Sequence, residues 1–342
     1  MKTLKYVFLL LLLLFVAWAV YIATLESSYD VTRTKIIKAP SEVVYKYVND
    51  YKNWPAWSPW IEREPLATLT YGDKTNGEGA NYNWKGEILG EGSMETIESK
   101  FPDSIKQKIT FITPFESESD IYWIFNPTDE GVEVVWGMKG KMDFFFKAFS
   151  AFNGGMDKQI GPDFERGLFK LDSVVEVDMK KYSINTNGVS IRGGGYYLYT
   201  TTSCKINEMK EKMMEMMSLT STYAMENNIP TAGAPFALYH QLDTENNAVI
   251  FSCAIPISEK IITAPNSGIQ TGLLKPFKAV KITLKGNYDY LKEAWDSAYK
   301  FIADNNLEPT VGVATLEVYL TDSLSTPNPA DWVTEIFIPV NQ

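Results

Sequence analysis

The sequence is poor in the residues on which metal, thiol and histidine chemistry depends. Its 342 residues contain one histidine, His240, and two cysteines, Cys204 and Cys253. Neither cysteine has the spaced partners that a zinc site requires, and one histidine cannot complete such a site or a serine-histidine-aspartate triad. We therefore expect no metal, no cofactor and a surface or structural role for His240. The cysteines are expected to be buried free thiols, with a disulfide as the alternative in an extracytoplasmic domain.

The chain also lacks an excess of basic residues and any low-complexity linker. It carries 42 acidic against 32 basic residues, a net charge of −10, and this balance repels nucleic acid, which we do not expect as a partner. The length fits about two domains plus an accessory segment. Aromatic residues are abundant at 13%. Such side chains often line pockets for flat or apolar ligands, and they equally fill the cores of β-rich domains.

Charge is absent from Tyr6 to Leu25, about the 20 residues that a helix needs to cross a bilayer. We predict a transmembrane anchor over residues 1–27 that contacts the membrane through residues 6–25. A cleaved signal peptide is the alternative, because Ala17-Trp18-Ala19 resembles a cleavage site. The apolar run is longer than a usual signal core and continues past that point, which favours the anchor.

The orientation of the anchor depends on the basic residues at its two ends. Lys2 and Lys5 favour a cytoplasmic N-terminus, whereas Arg33, Lys35 and Lys38 favour the opposite orientation. We expect a single-pass membrane protein whose globular part lies outside the cytoplasm.

The first globular part, residues 28–176, is predicted to be a strand, a helix, a series of antiparallel strands and a closing helix. The strand runs from Val31 to Lys38, and Pro40 or Ser41 opens the helix behind it. Six further runs alternate between apolar and polar residues, as strands do. The amphipathic stretch from Asp157 to Val175 predicts the closing helix.

This part resembles the START-like superfamily of polyketide cyclases, dehydrases and lipid-transport proteins. The resemblance is carried by the strand before Ala39-Pro40, the short helix that ends near Asp50, and the turn with Trp54, Trp57 and Trp60. It implies a helix-grip fold, in which a curved sheet surrounds the C-terminal helix and encloses an apolar cavity. Lipid binding or transfer is then one candidate function. We interpret the three tryptophans as packing residues, with a ligand box as the alternative.

Five phenylalanines lie between Gly140 and Gly155. This segment either covers the mouth of the cavity or inserts into the bilayer near the anchor. We expect the cover, because a buried lid needs no additional partner.

The second globular part, residues 177–342, repeats its own sequence after roughly 80 residues. Asn227 to Tyr239 recurs as Asn305 to Tyr319, and Ile255-Pro256-Ile257 recurs as Ile338-Pro339-Val340. Each copy is predicted to be a β-α-β-β unit. Two such units in tandem predict an α+β domain with a pseudo-twofold axis, one helix from each half against a sheet, and a groove at the axis.

The repeat is broken by one carboxylate. When the copies are aligned on Tyr239 and Tyr319, Glu317 stands where the first copy has Ala237. Because an alanine satisfies the fold at one of two equivalent strand positions, the fold does not itself require a carboxylate at the other. Glu317 is therefore the first candidate for function. The alternative is that a nearby lysine or tyrosine hydroxyl holds it and that it only fixes the strand register.

Several motifs of this part resemble the gyrase-inhibitor-like small-molecule-binding domain, which also serves bacterial multidrug-responsive transcription activators as their effector-binding module. The motifs are Tyr199-Thr-Thr, Gly233-Ala-Pro-Phe-Ala-Leu-Tyr239, Ala254-Ile-Pro256, Gly286-Asn-Tyr288, Leu316-Glu317-Val-Tyr319 and Thr334-Glu335-Ile-Phe-Ile-Pro339. The resemblance implies that Glu317 lies among aromatic residues at a pocket floor and pairs with cationic ligands. The candidate ligand-binding residues are Glu317, Tyr319, Tyr288, Tyr239 and Tyr199. In this chain the anchor and the START-like domain replace the activators' DNA-binding segment, so transcription activation is not implied.

The sequence thus predicts membrane-anchored binding of hydrophobic or cationic amphiphilic small molecules, with Glu317 as the pocket carboxylate. A ligand-binding protein without catalytic residues is expected rather than an enzyme. Because some gyrase-inhibitor-like proteins hydrolyse strained electrophiles, the alternative is a hydrolase with Glu317 as general base and Tyr288 as the group that orients it.

Overall fold

Two antiparallel sheets account for most of the computed structural model, which describes residues 2–113, 116–321 and 325–341. The chain divides after Asp178 into two units. It begins with helix α1 (Lys2–Thr24), whose part from Thr3 to Thr24 has a mean hydropathy of 2.7 and is almost entirely exposed. Among the described residues it is the one helix that is long and apolar enough to cross a membrane. These properties fit a single membrane span and also a signal sequence.

The first unit has the predicted helix-grip arrangement. Its seven strands are ordered β1-β7-β6-β5-β4-β3-β2, each antiparallel to its neighbours. The elements are β1 (Ser28–Ile37), α2 (Ser41–Asn49), α3 (Trp54–Trp57), α4 (Pro59–Arg63), β2 (Thr68–Tyr71), β3 (Asn81–Gly86), β4 (Gly90–Lys100), β5 (Ser104–Thr113), β6 (Ser117–Thr128), β7 (Gly131–Lys141), α5 (Phe144–Phe152) and α6 (Met156–Met179).

Aromatic rings hold helix α6 against this sheet. Phe164 stacks on Trp136 of β7 with ring centroids 4.1 Å apart. Gly167 faces the same indole, and a Cβ at this position would lie only 2.6 Å from the ring. The close approach of helix and sheet therefore requires a glycine here. Trp54 and Trp57 are fully buried and pack together with centroids 4.8 Å apart. They have the packing role that we expected.

The phenylalanine-rich segment forms helix α5 rather than a buried lid. Phe146 faces inward, but Phe145 and Phe152 are largely exposed. The expectation of a buried cover is therefore wrong for these side chains, because their spacing turns them to the outer face of the helix.

The second unit contains an eight-stranded sheet with the predicted internal symmetry. Its strand order is β12-β9-β11-β10-β14-β15-β13-β8, so β9-β11-β10 is mirrored by β13-β15-β14 about the central pair. The elements are β8 (Ser183–Arg192), β9 (Gly195–Lys205), α7 (Met209–Glu226), β10 (Phe236–Asp243), β11 (Ala248–Ile257), β12 (Gln270–Leu274), β13 (Phe277–Lys285), α8 (Leu291–Asp304), β14 (Thr315–Tyr319) and β15 (Val333–Pro339). The outermost strands β8 and β12 were not predicted.

The two faces of this sheet carry different residues. Helix α8 packs Ala294, Ala298 and Ile302 against apolar side chains of β13 and β15, and α7 covers Val249, Phe251 and Cys253 of β11 on the same face. The other face holds a separate apolar cluster of Phe236, Leu238, Ala254, Ala279, Leu316, Val318 and Phe337. Both cysteines are free thiols, as expected, but Cys204 is partly exposed while Cys253 is buried.

Candidate functional site

Glu317 lies in the middle of β14, on the sheet face covered by the two helices, and only 3% of its surface is exposed. Three neutral groups donate hydrogen bonds to its carboxylate. Trp295 Nε1 lies 2.5 Å from Oε1, and the hydroxyls of Tyr239 and Tyr319 each lie 2.8 Å from Oε2. Among the described residues no lysine, arginine or histidine forms an ion pair with this carboxylate. The surroundings of this carboxyl group therefore supply hydrogen-bond donors but no positive charge.

The electrostatic balance at Glu317 follows from this arrangement. Burial raises the pKa of the carboxyl above its usual 4.5, and the hydrogen bonds from Trp295, Tyr319 and Tyr239 act in the opposite direction. Burial, followed by the charge of Glu317, raises the pKa of both tyrosine hydroxyls well above 10.0. Both tyrosines consequently stay protonated and keep their role as donors at neutral pH.

The two halves of the pseudo-twofold unit contribute equivalent positions to this site. Met213 and Trp295 are each the fifth residue of their helix, α7 and α8. The Sδ atom of Met213 lies 3.1 Å from the hydroxyl of Tyr319, and Trp295 binds Glu317 directly. The sequence analysis identified neither Trp295 nor Met213 as part of the site. Their shared position in the two repeats was the signal that could have identified them.

Of the predicted aromatic residues, the structure brings Tyr239, Tyr319 and Tyr288 together. The ring of Tyr288 packs edge-on against that of Tyr319, with centroids 5.6 Å apart. The aromatic rings above the carboxylate are partly exposed although Glu317 itself is buried. The carboxylate is thus the buried member of a cluster whose aromatic members are partly exposed.

Tyr199 does not belong to this constellation. It pairs with Ala254 on the neighbouring strand and joins the apolar cluster on the opposite face of the sheet, where its hydroxyl donates to Gln270 Oε1 at 2.7 Å. Side chains of successive strand residues alternate between faces. The placement of Tyr199 beside Glu317, which we expected from the motif, is therefore corrected.

Glu335 provides an internal comparison, because it is a strand carboxylate with a different environment. It pairs with Val318 across β14 and β15, which places it on the face opposite Glu317. Its Oε1 lies 2.6 Å from Lys281 Nζ, and both side chains are partly exposed. Glu335 is thus a paired structural carboxylate, whereas Glu317 has donors but no counter-ion among the described residues.

His240 and the side chains that could bind a metal ion lie in the following environments. His240 is an exposed residue, and its Nε2 lies 2.6 Å from the hydroxyl of the buried Ser252. Partial desolvation lowers the pKa of its imidazole. In the described ranges no group of three or more His, Cys, Asp or Glu side chains could hold a metal ion.

The first unit contains a cavity of about 340 Å³ between its sheet and helix α6. This volume is near the lower end of the range for small-molecule pockets. Its walls are mainly apolar and aromatic, and include Trp60, Tyr82, Trp84, Leu69, Met94, Ile109, Phe111, Met138, Phe146 and Ile160. Polar side chains also reach the wall, among them Ser58, Arg63, Ser117, Gln159 and Asp163. Asp163 accepts hydrogen bonds from Trp60 Nε1 at 2.9 Å and from Arg63 at 2.5 Å. The cavity therefore suits a mainly apolar ligand that carries a polar group.

Each of the two units contains a segment that matches a known domain family. Residues 28–176 match the family model described as polyketide cyclase / dehydrase and lipid transport. Residues 196–341 match the model of the GyrI-like small molecule binding domain. These matches confirm the two predicted domains and their order. Both are small-molecule-binding families, which supports a small ligand as the partner of this chain.

Solved structures with a related fold are distant in sequence. The crystal structure of the EcmrR C-terminal domain is 18% identical with a TM-score of 0.41, and the match covers 47% of this chain and 98% of that chain. Protein MLL2253 from Mesorhizobium loti is 12% identical with a TM-score of 0.34, covering 44% and 98%. An EcmrR-DNA complex is 15% identical with a TM-score of 0.41, covering 64% and 88%. The search of curated proteins found no match.

Proposed function

We propose that this protein is a membrane-anchored binding protein for hydrophobic or cationic amphiphilic small molecules, and that Glu317 receives the cationic group. One observation carries the proposal. A carboxylate is buried beneath Tyr239, Trp295 and Tyr319, which donate hydrogen bonds to it but bring no positive charge. A buried charge without a counter-ion is costly, and a lipophilic cation supplies the counter-ion together with an apolar surface.

The aromatic layer favours the same class of ligand. Cations are attracted to the faces of tryptophan and tyrosine rings, most strongly where water is excluded. Tyr288 extends this layer beyond Tyr319, because their rings are in contact. A flat or bulky organic cation would thus pack on the rings while its charge is directed toward Glu317. Metal cations would gain less, since hydrogen-bond donors already occupy the oxygens of Glu317 and the described residues offer no group of three or more metal-ligating side chains there.

A pair of probes with one shape and opposite charge tests this proposal. The full chain in zwitterionic nanodiscs is dialysed against tetraphenylphosphonium or tetraphenylborate, and uptake by empty nanodiscs is subtracted. We expect saturable binding of the cation and at least about tenfold weaker binding of the anion, a difference of about 1.4 kcal/mol. Equal affinities would contradict a site organised around a carboxylate.

A second candidate function is favoured by the cavity of the first unit. Its mainly apolar walls and the polar pair of Asp163 and Arg63 fit an acyl chain with a polar head. Lipid binding or transfer would then be the role of this domain. Mass spectrometry of the full chain, purified in mild detergent, tests it: a copurifying amphiphile is expected, and consistently empty protein would count against it.

The hydrolase alternative uses Glu317 as a general base. Tyr319 donates to its carboxylate directly, and Tyr288 contacts the ring of Tyr319. A raised carboxyl pKa is favourable for a base that works near neutral pH. Turnover of cyclopropane or epoxide electrophiles would support this alternative, whereas a binding protein should show none.

A further inference from the structure

Helix α5 presents a row of large apolar side chains to solvent. Phe145, Phe149 and Phe152 are 81%, 51% and 90% exposed. Their spacing of four and then three residues places them on one face of the helix. Lys147 is the one charged residue of α5, and it is buried on the other side. The outer face therefore carries no charge, and such an apolar patch indicates a contact with another apolar surface.

Lys147 fixes the position of α5 relative to α1. Its ammonium donates to the backbone oxygen of Leu25 at 3.0 Å and to that of Ala23 at 3.3 Å. These carbonyls belong to the end of α1, where the helix leaves its last oxygens without partners and where its dipole favours a cation. Ile22, on the same turn, is fully buried. The middle of α5 thus lies at the level of the last turn of α1.

This level is where a membrane surface would lie. The uncharged run of the sequence ends at Leu25, so an α1 that spans a bilayer leaves the hydrocarbon layer beside α5. We propose that α5 is an interfacial helix, whose Phe145, Phe149 and Phe152 insert into the bilayer that α1 crosses. The inference rests on the membrane anchor of the proposed function. Helices that lie in the membrane interface have an apolar face toward the lipid and a polar face away from it. Helix α5 has the same arrangement, with an uncharged aromatic face on one side and polar residues on the other.

The surroundings of α5 agree with a lipid surface. Asp143 caps the helix by accepting a hydrogen bond from the amide of Phe146 at 2.7 Å, so the acidic residue nearest the phenylalanines is engaged with the backbone. The exposed lysines Lys141 and Lys158 precede and follow the helix in the sequence, and cations close to a membrane surface attract anionic headgroups. Phe146 also lines the cavity. One wall of that cavity is then held at the bilayer surface.

Depth measurements by spin labelling test the inference with the full chain in nanodiscs that contain anionic lipid. Single labels are placed with Phe149→Cys and Phe152→Cys in a Cys204→Ser background, since Cys253 is buried. Asp129→Cys is the water-exposed control. Asp129 lies in the turn just before β7, and Lys141 is at the other end of that strand, roughly 33 Å away at the rise of a strand. Leu12→Cys reports on the anchor. Accessibility to oxygen is compared with accessibility to a water-soluble nickel complex.

We expect the ratio of oxygen to nickel accessibility at residues 149 and 152 to exceed that at 129 several-fold. If residue 12 lies in lipid while 149 and 152 behave like 129, the interfacial helix is refuted and the anchor stands. If residue 12 is itself in water, the anchor is refuted, and the inference falls with it.

Discussion

Glu317 and Ala237 are direct cross-strand partners on β14 and β10, the two central strands of the second sheet. They are also equivalent positions of the sequence repeat, so the pseudo-twofold axis passes between them. Opposite residues in an antiparallel pair have Cβ atoms about 4.5–5.5 Å apart, and like charges at this distance are destabilising. A perfect repeat would bring two carboxylates together at the axis. The alanine in the first copy leaves room for one.

Restoring the symmetry should therefore destabilise the protein. Ala237→Glu places a second buried carboxylate opposite Glu317, and we expect its free energy of unfolding at neutral pH to lie roughly 1–3 kcal/mol below that of Ala237→Gln. The glutamine variant has nearly the same size and accounts for overpacking, since Ala237 is fully buried. Chemical denaturation of both variants measures the difference. Identical stabilities would contradict the electrostatic explanation.

The raised pKa of Glu317 predicts a pH dependence of stability. Burial favours the protonated carboxyl in the folded state, so the folded protein binds more protons than the unfolded one between pH 4.5 and the raised pKa. Stability then falls as the pH rises through this window. We expect Glu317→Gln to remove this slope and to melt at a higher temperature than the unaltered protein at pH 8, with a smaller difference at pH 4. If the melting temperatures of the two proteins differ by the same amount at pH 4 and at pH 8, ionisation of Glu317 does not destabilise the folded protein.

Removal of one donor should shift the titration of the site. Tyr239→Phe deletes a hydrogen bond that lowers the pKa of Glu317, so the carboxyl should ionise at a higher pH. The pH at which the affinity for a cation increases should become higher as well. Tyr299→Phe is the matched control. It also removes a tyrosine hydroxyl near the site, since the ring of Tyr299 stacks on that of Trp295 with centroids 6.2 Å apart, but Tyr299 is not one of the donors to Glu317. A shift of the same size in both variants would refute the role of the donor.

Filling the cavity of the first unit should affect that domain alone. Ile109 is buried on β5 and lines the cavity. Ile109→Phe adds a ring to a space of about 340 Å³, and we expect a smaller share of protein with a copurified amphiphile in mass spectrometry. Binding of a lipophilic cation at Glu317 should be unchanged. An unchanged load of amphiphile in a folded variant would place that ligand elsewhere.

The fold of the second unit could be predicted well because its sequence contains the same β-α-β-β pattern twice. The two predicted β-α-β-β units correspond to β9-α7-β10-β11 and β13-α8-β14-β15. The edge strands β8 and β12 were missed for physical reasons. Strand β8 contains Asn185, Asn187 and Gly188, residues typical of turns, and β12 has only five residues. Pairing with a neighbour at the sheet edge, rather than local propensity, makes these segments strands.

The site could be predicted only in part. Glu317 follows from the broken repeat, whereas Tyr239, Tyr288 and Tyr319 follow from the motifs that resemble the gyrase-inhibitor-like domain. Trp295 was missed because the residue that a helix directs at a carboxylate depends on how the helix packs on the sheet. Tyr199 was placed on the wrong face because the motif gives its strand but not the register that pairs it with Ala254.

The most direct test of the account compares the affinity of tetraphenylphosphonium for the unaltered chain, Glu317→Gln and Glu335→Gln in the same nanodiscs. Both substitutions remove one strand carboxylate from the second sheet, but Glu335 is already paired with Lys281 on the opposite face. We predict at least about tenfold weaker binding for Glu317→Gln, which is about 1.4 kcal/mol, and unchanged binding for Glu335→Gln. Equal affinities of the unaltered chain and Glu317→Gln would contradict the central claim that this carboxylate receives the ligand's charge.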